Sequence, residues 1–281
     1  MRTWFITGAS RGFGALIAAQ ALAAGDAVVA TARDPSAIPE AVRQHPNGLA
    51  VALNVTSESQ ARDAVRAAVS RFGRIDILVN NAGFGVIGGI EETSAAEVEA
   101  LFATNVFGLL NVTRATLPYM RAQRSGHVLN FSSIGGYASA AGFGVYCATK
   151  FAVEGISEAL SIELAPLGIH ATVVEPGYFR TSFLSERSVV STVSRIDDYA
   201  ETVGAVRLFA QAADGQQPGD PELLVQAVMR LVDASQPPRR LPLGVDTVQR
   251  IEQKHREVEA ELAQWRDVAL STGFVPRLRT D

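Results

Sequence analysis

Short runs of apolar and β-branched residues alternate with alanine-rich segments of helical period as far as about residue 177, and no other feature narrows the fold so far. Residues 3–7, 27–31, 49–53, 75–79, 127–131 and 169–174 have strand character; 13–24, 35–44, 57–72, 95–124 and 146–167 have helical character. Gly25 and Gly73 stop two of the helices, and Pro118 predicts a kink or break in the fourth. Strict alternation of this kind calls for parallel strands joined by right-handed crossovers, with helices on both faces of the sheet. Strands covered on both faces must be apolar throughout, as Ile77-Leu78-Val79 and Val28-Val29 are. The expected class is α/β with a doubly wound parallel sheet.

After Gly177 the rhythm fails. Residues from about 178 to 220 mix Ser, Arg, Asp and Gln with scattered apolar positions and show no clear strand, as expected of a substrate loop. A helix resumes over 221–234, and 239–243 reads as an edge strand. From Asp246 onward, Val248, Ile251, Val258, Leu262, Trp265 and Ala269 recur at spacings of three and four, with His255 filling the gap. That is an amphipathic helix of about six turns. It packs on its own domain, pairs with another subunit or caps the pocket. The expected division is a catalytic domain over 1–245 and a helical extension over 246–281.

Composition closes several routes. A chain of 281 residues is near the upper limit for one hydrophobic core, so one large domain is expected. A net charge of −4 with scattered basic residues argues against nucleic acid or an anionic membrane as partner. Cys147 is the only cysteine, which rules out an intrachain disulfide and suits the cytoplasm. The first apolar run is too short for a signal peptide, and the uncharged stretch 125–149 is broken by Gly, Ser and Asn, unlike a membrane span. His45, His127, His170 and His255 lie apart with no ligand-spaced neighbours, so no metal site is expected. No Gly-x-Ser-x-Gly elbow points to hydrolysis.

Two motifs carry chemistry. Thr7-Gly8-Ala9-Ser10-Arg11-Gly12-Phe13-Gly14 joins the first strand to the first helix, where glycines let the backbone approach a pyrophosphate and the helix start offers N–H donors. At the end of the second strand an NAD site would place Asp or Glu. Here Ala32 is followed by Arg33, and Arg11 stands in the glycine loop, a pair suited to a 2′-phosphate and hence to NADP(H). NAD stays possible if Asp34 takes the acidic role. The second motif is Tyr146-Cys147-Ala148-Thr149-Lys150. On a helix its Tyr and Lys share one face a turn apart, and the ammonium is expected to lower the phenol's pKa and ready it for proton exchange. Cys147 beside it reads as a small buried side chain.

Together with Asn80-Asn81-Ala82-Gly83, Asn105, Ser133 and Pro176-Gly177, these motifs resemble the short-chain dehydrogenase/reductases, in the branch with TGxxxGxG glycine spacing. The resemblance spans about residues 3–245. It implies a Rossmann-type sheet of about seven strands, with the carboxy-terminal helix as an extra element. For the cofactor it implies contacts from Gly8, Ser10, Arg11, Gly12, Phe13, Gly14 and Arg33, then Asn54 and Val55 at adenine. Asn81, Ala82 and Gly83 would line the cofactor, while Pro176, Gly177 and Thr181 would border the nicotinamide end. Asn54 stands where relatives often have an acid; its amide oxygen can still accept a hydrogen bond.

For the chemistry the resemblance implies Tyr146 as general acid or base and Lys150 as its partner and ribose ligand. Ser133 would hold the substrate oxygen, and Asn105 would hold a water linking Lys150 to solvent. The expected function is NADP(H)-dependent hydride transfer on a fairly apolar alcohol/carbonyl pair, by a homodimer or homotetramer. Phe84, Ile87, Ile134, Tyr137, Phe143, Tyr178, Phe179 and Phe183 are candidates for the pocket wall. The alternatives are a dehydratase or epimerase, disfavoured by the glycine spacing, and a redox sensor that binds NADP(H) without turnover.

Overall fold

The computed structural model describes residues 1–185 and 188–274. Its strands and helices follow one another as β1 (Thr3–Ile6), α1 (Gly12–Ala23), β2 (Ala27–Ala32), α2 (Glu40–Arg43), β3 (Gly48–Ala52), α3 (Glu58–Phe72), β4 (Ile77–Asn80) and β5 (Gly85–Ile87). Then come α4 (Ala95–Phe102), α5 (Leu109–Gln123), β6 (Gly126–Phe131), α6 (Gly144–Leu164), β7 (Ile169–Pro176), β8 (Val189–Ser191), α7 (Ala205–Ala213), α8 (Pro221–Val232), β9 (Arg240–Leu243) and α9 (Val245–Leu270). Seven strands form one sheet in the order β3-β2-β1-β4-β6-β7-β9, every pair parallel. The order reverses between β1 and β4, and the crevice beyond their carboxyl ends is where such sheets bind ligands.

Alternate residues of β1 serve opposite faces. Trp4 and Ile6 join Val28, Val79, Leu129 and Val174 beneath α1 and α8, whereas Phe5 joins Val29, Leu78 and Val128 beneath α3, α5 and α6. Central strands are therefore buried on both sides, as their unbroken apolar sequences require. Side-chain caps fix where helices begin. Ser57 accepts from the Gln60 N–H at the start of α3, and Ser94 with Glu97 closes a reciprocal capping box on α4.

Two expectations are corrected here. Pro118 lies inside α5, which continues through it; the interruption in the 95–124 helix is instead a π turn at Ala103–Gly108. The wider turn swings Asn105 inward to a site 2% exposed. The segment after β7 is also more regular than its composition indicates. It contains β8, paired in parallel with β5, and α7.

The run Ala95–Gln123 is, among the described residues, the one helical span long and apolar enough to cross a membrane. Its buried residues, Leu101, Val112, Thr116 and Met120 among them, pack into the protein interior. The final helix, α9, is longer than expected at 26 residues, or about seven turns. Its first turns pack on the domain, with Thr247 fully buried, and from residue 259 onward its side chains are exposed.

Candidate active site

Beyond β1 and β4 lies a cavity of about 780 Å³. The glycine loop forms one wall. Gly8 and Gly12 have φ of +66° and +56°, which glycine adopts without penalty. A Cβ on Gly12 would meet nothing within 4 Å, so the backbone there is open to a close-lying ligand. Gly14 does not border the cavity. A Cβ there would fall 2.5 Å from the Gly8 carbonyl oxygen, so its task is close packing of α1 on the loop. Asn81 fastens the next turn to this one, its amide donating to the carbonyls of Thr7 (2.9 Å) and Gly8 (3.1 Å).

Arg11, Arg33, Asn54 and Val55 line the same cavity, as do Ser10, Phe13, Asn81, Ala82, Gly83, Pro176, Gly177 and Thr181. Asn54 is turned away from its expected task, because its amide oxygen accepts from the Thr56 N–H and hydroxyl. Arg11 sits at the start of α1 without capping it and donates to the Ser188 hydroxyl at 3.0 Å. Glycines at the points of closest approach, an anion-attracting helix start and two guanidiniums at one end fit a dinucleotide.

Ser133, Tyr146 and Lys150 meet on the opposite wall. Ser133, two residues past the end of β6 and extended, caps the short turn at Ile134–Gly136 and hydrogen-bonds the Tyr146 hydroxyl. Ser132 points inward, with its hydroxyl 3.5 Å from the Lys150 carbonyl. Lys150 donates to the Phe131 carbonyl at 2.8 Å, and its Nζ lies 5.7 Å from the Tyr146 ring centroid.

That geometry corrects the expected pKa of the phenol. Burial pushes the Tyr146 hydroxyl above its ordinary value, against the pull of the Ser133 hydrogen bond, and nearby Cys147 and Tyr178 push the same way. Lys150 does not lower it, because its ammonium is turned to the Phe131 carbonyl. Burial brings Lys150 itself down to about 8, opposed by the Glu154 carboxylate. At neutral pH the wall thus presents a protonated phenol beside an ammonium. Cys147 is 2% exposed and burial pushes its thiol up, the mark of an unreactive cysteine.

Asn105 stands behind the wall. Its amide oxygen accepts from the Phe84 N–H (3.1 Å), and its nitrogen donates to the Phe84 carbonyl (2.9 Å) and the Thr149 hydroxyl (3.1 Å). Gly83 leaves room for this approach, since a Cβ there would lie 3.1 Å from Asn105 Oδ1 and 3.8 Å from Lys150 Nζ.

The wall around Tyr146 is mostly apolar and includes Phe84, Ile134, Phe143, Tyr178, Phe179 and Phe183. Ile87 and Tyr137 do not belong to it. Ile87 is buried in β5, paired alongside β8, while Tyr137 hydrogen-bonds His255 of α9 and carries the Arg240 guanidinium 5.8 Å from its ring centroid.

Sequence reasoning missed Asp246 and Arg250, which reach the cavity from α9. The Asp246 carboxylate accepts the Tyr178 N–H at 2.8 Å and so holds the chain where it leaves β7. It also missed a latch on the segment that follows β7. Glu92, fully buried, accepts from the N–H groups of Gly89 (2.7 Å) and Ile196 (2.8 Å) and from Arg207 of α7.

Burial alone would raise the Glu92 carboxyl, yet these donors outweigh it and hold it near 2. The latch is therefore complete above the ordinary carboxylate value and weakens only as pH falls toward 2. Glu92→Gln is expected to raise substrate KM about tenfold with little change in kcat, since it loosens positioning, not chemistry. Steady-state kinetics giving an unchanged KM would show that the latch does not shape the pocket.

The family model described as short chain dehydrogenase matches residues 2–189. A 3-ketodihydrosphingosine reductase of Bacteroides thetaiotaomicron is 38% identical over 240 residues, covering 85% of this chain and 86% of that protein. The crystal structure of a short-chain dehydrogenase from Streptomyces avermitilis superposes with a TM-score of 0.90 at 41% identity, over 97% of this chain and 100% of the other. More distant neighbours hold either cofactor. A serine dehydrogenase (27% identity, TM-score 0.74, 86% and 94% of the chains) is complexed with NADP+. A 3-ketoacyl-(acyl-carrier-protein) reductase from Brucella melitensis (29%, 0.73, 86% and 96%) is complexed with NADH. With its parallel seven-stranded sheet, glycine loop and Ser–Tyr–Lys wall, this chain belongs to the short-chain dehydrogenase family and is an oxidoreductase acting on CH–OH groups.

Proposed function

We propose that the protein is an NADP(H)-dependent reductase of fairly apolar ketones or aldehydes, reversible toward the alcohol. The observation that carries this reading is the meeting of Ser133, Tyr146 and Lys150 on one apolar wall of the dinucleotide-sized cavity. Bound NADPH would supply the hydride. Ser133 then holds the carbonyl oxygen by a hydrogen bond that strengthens as charge develops, and Tyr146, kept protonated by burial, delivers its proton to that oxygen. Lys150, charged below about pH 8, offsets the phenolate left behind. Asn105 fixes the backbone at Phe84 beside them, and a water held there would reconnect Lys150 to solvent.

Two features support NADP over NAD. Arg33 is exposed at the cavity rim, and one oxygen of the adjoining Asp34 accepts from the Ser36 N–H (2.9 Å) and hydroxyl (2.7 Å), which draws that acid back to its own turn. A relative named for reducing a 3-keto group supports a ketone as substrate. Incubation with NADPH and a panel of ketones of increasing chain length tests the reading. Oxidation of NADPH that quickens with apolar length is expected, and binding without oxidation across the panel would leave the sensor reading instead.

We further propose the cytoplasm as its compartment and a homodimer or homotetramer as its assembly. The exposed Leu262 and Trp265 on the outer half of α9 support the latter, and light scattering decides it.

A further inference from the structure

One group of buried charges beneath the active wall has no part in the chemistry above. Glu154 follows Lys150 by one turn on the same face of α6. It is 6% exposed, and its Oε2 accepts from Arg240 of β9 at 2.8 Å. Facing it from β7 is Glu175, 1% exposed, directly before Pro176-Gly177. Three of the four carboxylate oxygens, Glu154 Oε1 and both of Glu175, have no hydrogen-bond partner.

The cation that ion-pairs with them, Arg240, is already shared. It lies 3.7 Å from Glu175 and gives its second arm to the exposed Glu158 at 3.0 Å. Ser132 reaches Glu154 from the end of β6. From α9, Lys254, His255 and Glu259 face Glu154 only across a second cavity of about 470 Å³.

Two adjacent buried carboxylates cannot both stay ionised without donors, and one proton placed between them supplies the missing hydrogen bond. We propose that Glu175 is a protonated carboxylic acid donating to Glu154, and that Glu154, so held as a carboxylate, is the counter-ion that keeps Lys150 an ammonium. Neither residue lines the catalytic cavity, so both are positioning residues. The inference rests on the reductase reading only for its catalytic consequence. Burial pushes both carboxyls up, Glu175 to about 8, and Glu154 opposes the burial that brings Lys150 down.

The chain has two lysines, Lys150 and Lys254, so protein labelled with 13C at lysine Cε gives two side-chain resonances, and Lys254→Arg assigns them. Glu154→Gln is expected to move the Lys150 titration midpoint down by about one pH unit or more, the loss of an adjacent opposite charge. An unmoved midpoint overturns the counter-ion assignment. Glu175→Gln, which keeps a donor to Glu154, leaves the Lys150 midpoint in place and changes stability instead.

A carboxyl whose folded pKa is raised stabilises below its unfolded value of about 4.5 and loses that contribution as pH climbs to the folded value. The parent should therefore lose thermal stability from about pH 4.5 up to about 8. His127, pushed by burial to about 3, and Lys150, brought down to about 8, tilt the curve the other way but do so in parent and variant alike, so the difference between the two reports the carboxyl. Glu175→Gln should flatten that slope, and a slope that persists overturns the shared proton. Neither readout needs turnover. If the lysine resonance moves while NADPH oxidation is absent, the counter-ion stands and the reductase reading falls.

Discussion

Tyr146→Phe is expected to lower kcat/KM for carbonyl reduction by about a thousandfold while leaving NADPH affinity within about twofold, the loss of a general acid with binding intact. The ring stays where it is. Its neighbours Phe143 and Phe183 lie with centroids at 6.1 and 5.8 Å, and phenylalanine preserves both contacts. What is removed is the buried hydroxyl that Ser133 hydrogen-bonds. Ser133 would still hold a carbonyl oxygen, but no group would protonate it as the hydride arrives. Stopped-flow NADPH oxidation together with a fluorescence titration of NADPH separates the two effects. Reduction at the parental rate would mean that the proton comes from elsewhere. In the parent, activity should decline above about pH 8, where Lys150 gives up its proton.

Arg33→Asp should reverse cofactor preference, changing the ratio of kcat/KM for NADPH over NADH by roughly a hundredfold, as expected for losing one charge-assisted phosphate contact of about 1.5–3 kcal/mol and gaining a carboxylate for a ribose hydroxyl. The position is exposed and the side chain packs into no core, so stability should be unaffected. In the parent, one oxygen of Asp34 is drawn back to the Ser36 N–H and hydroxyl, which competes with any contact to a ribose. Kinetics with both nucleotides decide the matter, and an unchanged ratio would move phosphate recognition to Arg11 and its surroundings.

The sheet, and the gathering of most candidate residues around one cavity, were legible in the chain because both depend on local signals. Val28-Val29 and Ile77-Leu78-Val79 announce strands buried on both faces, and Gly8 and Gly12 adopt the positive φ that marks a tight turn. Tyr146 and Lys150 meet through helical spacing alone. What escaped depends on contacts distant in sequence. The π turn around Asn105 changes where a helix bulges without changing its composition, and Pro118, the louder signal, does not end the helix that contains it. Glu92 and Arg207 are 115 residues apart, and each alone reads as a surface charge. Glu154 and Glu175 escape for the same reason, since burial is assigned by the packing of β7, β9 and α6 together. The pKa of Tyr146 escaped because burial outweighs a neighbouring charge only once the depth of the site is known.

The entry of Asp246 and Arg250 into the cavity from the start of α9 has a practical consequence. The first turns of α9 are a piece of the cavity's wall. Clipping the polypeptide just after Leu243 would release the backbone of Tyr178 and open one side of the chamber to water, so a trimmed protein would report on a different enzyme.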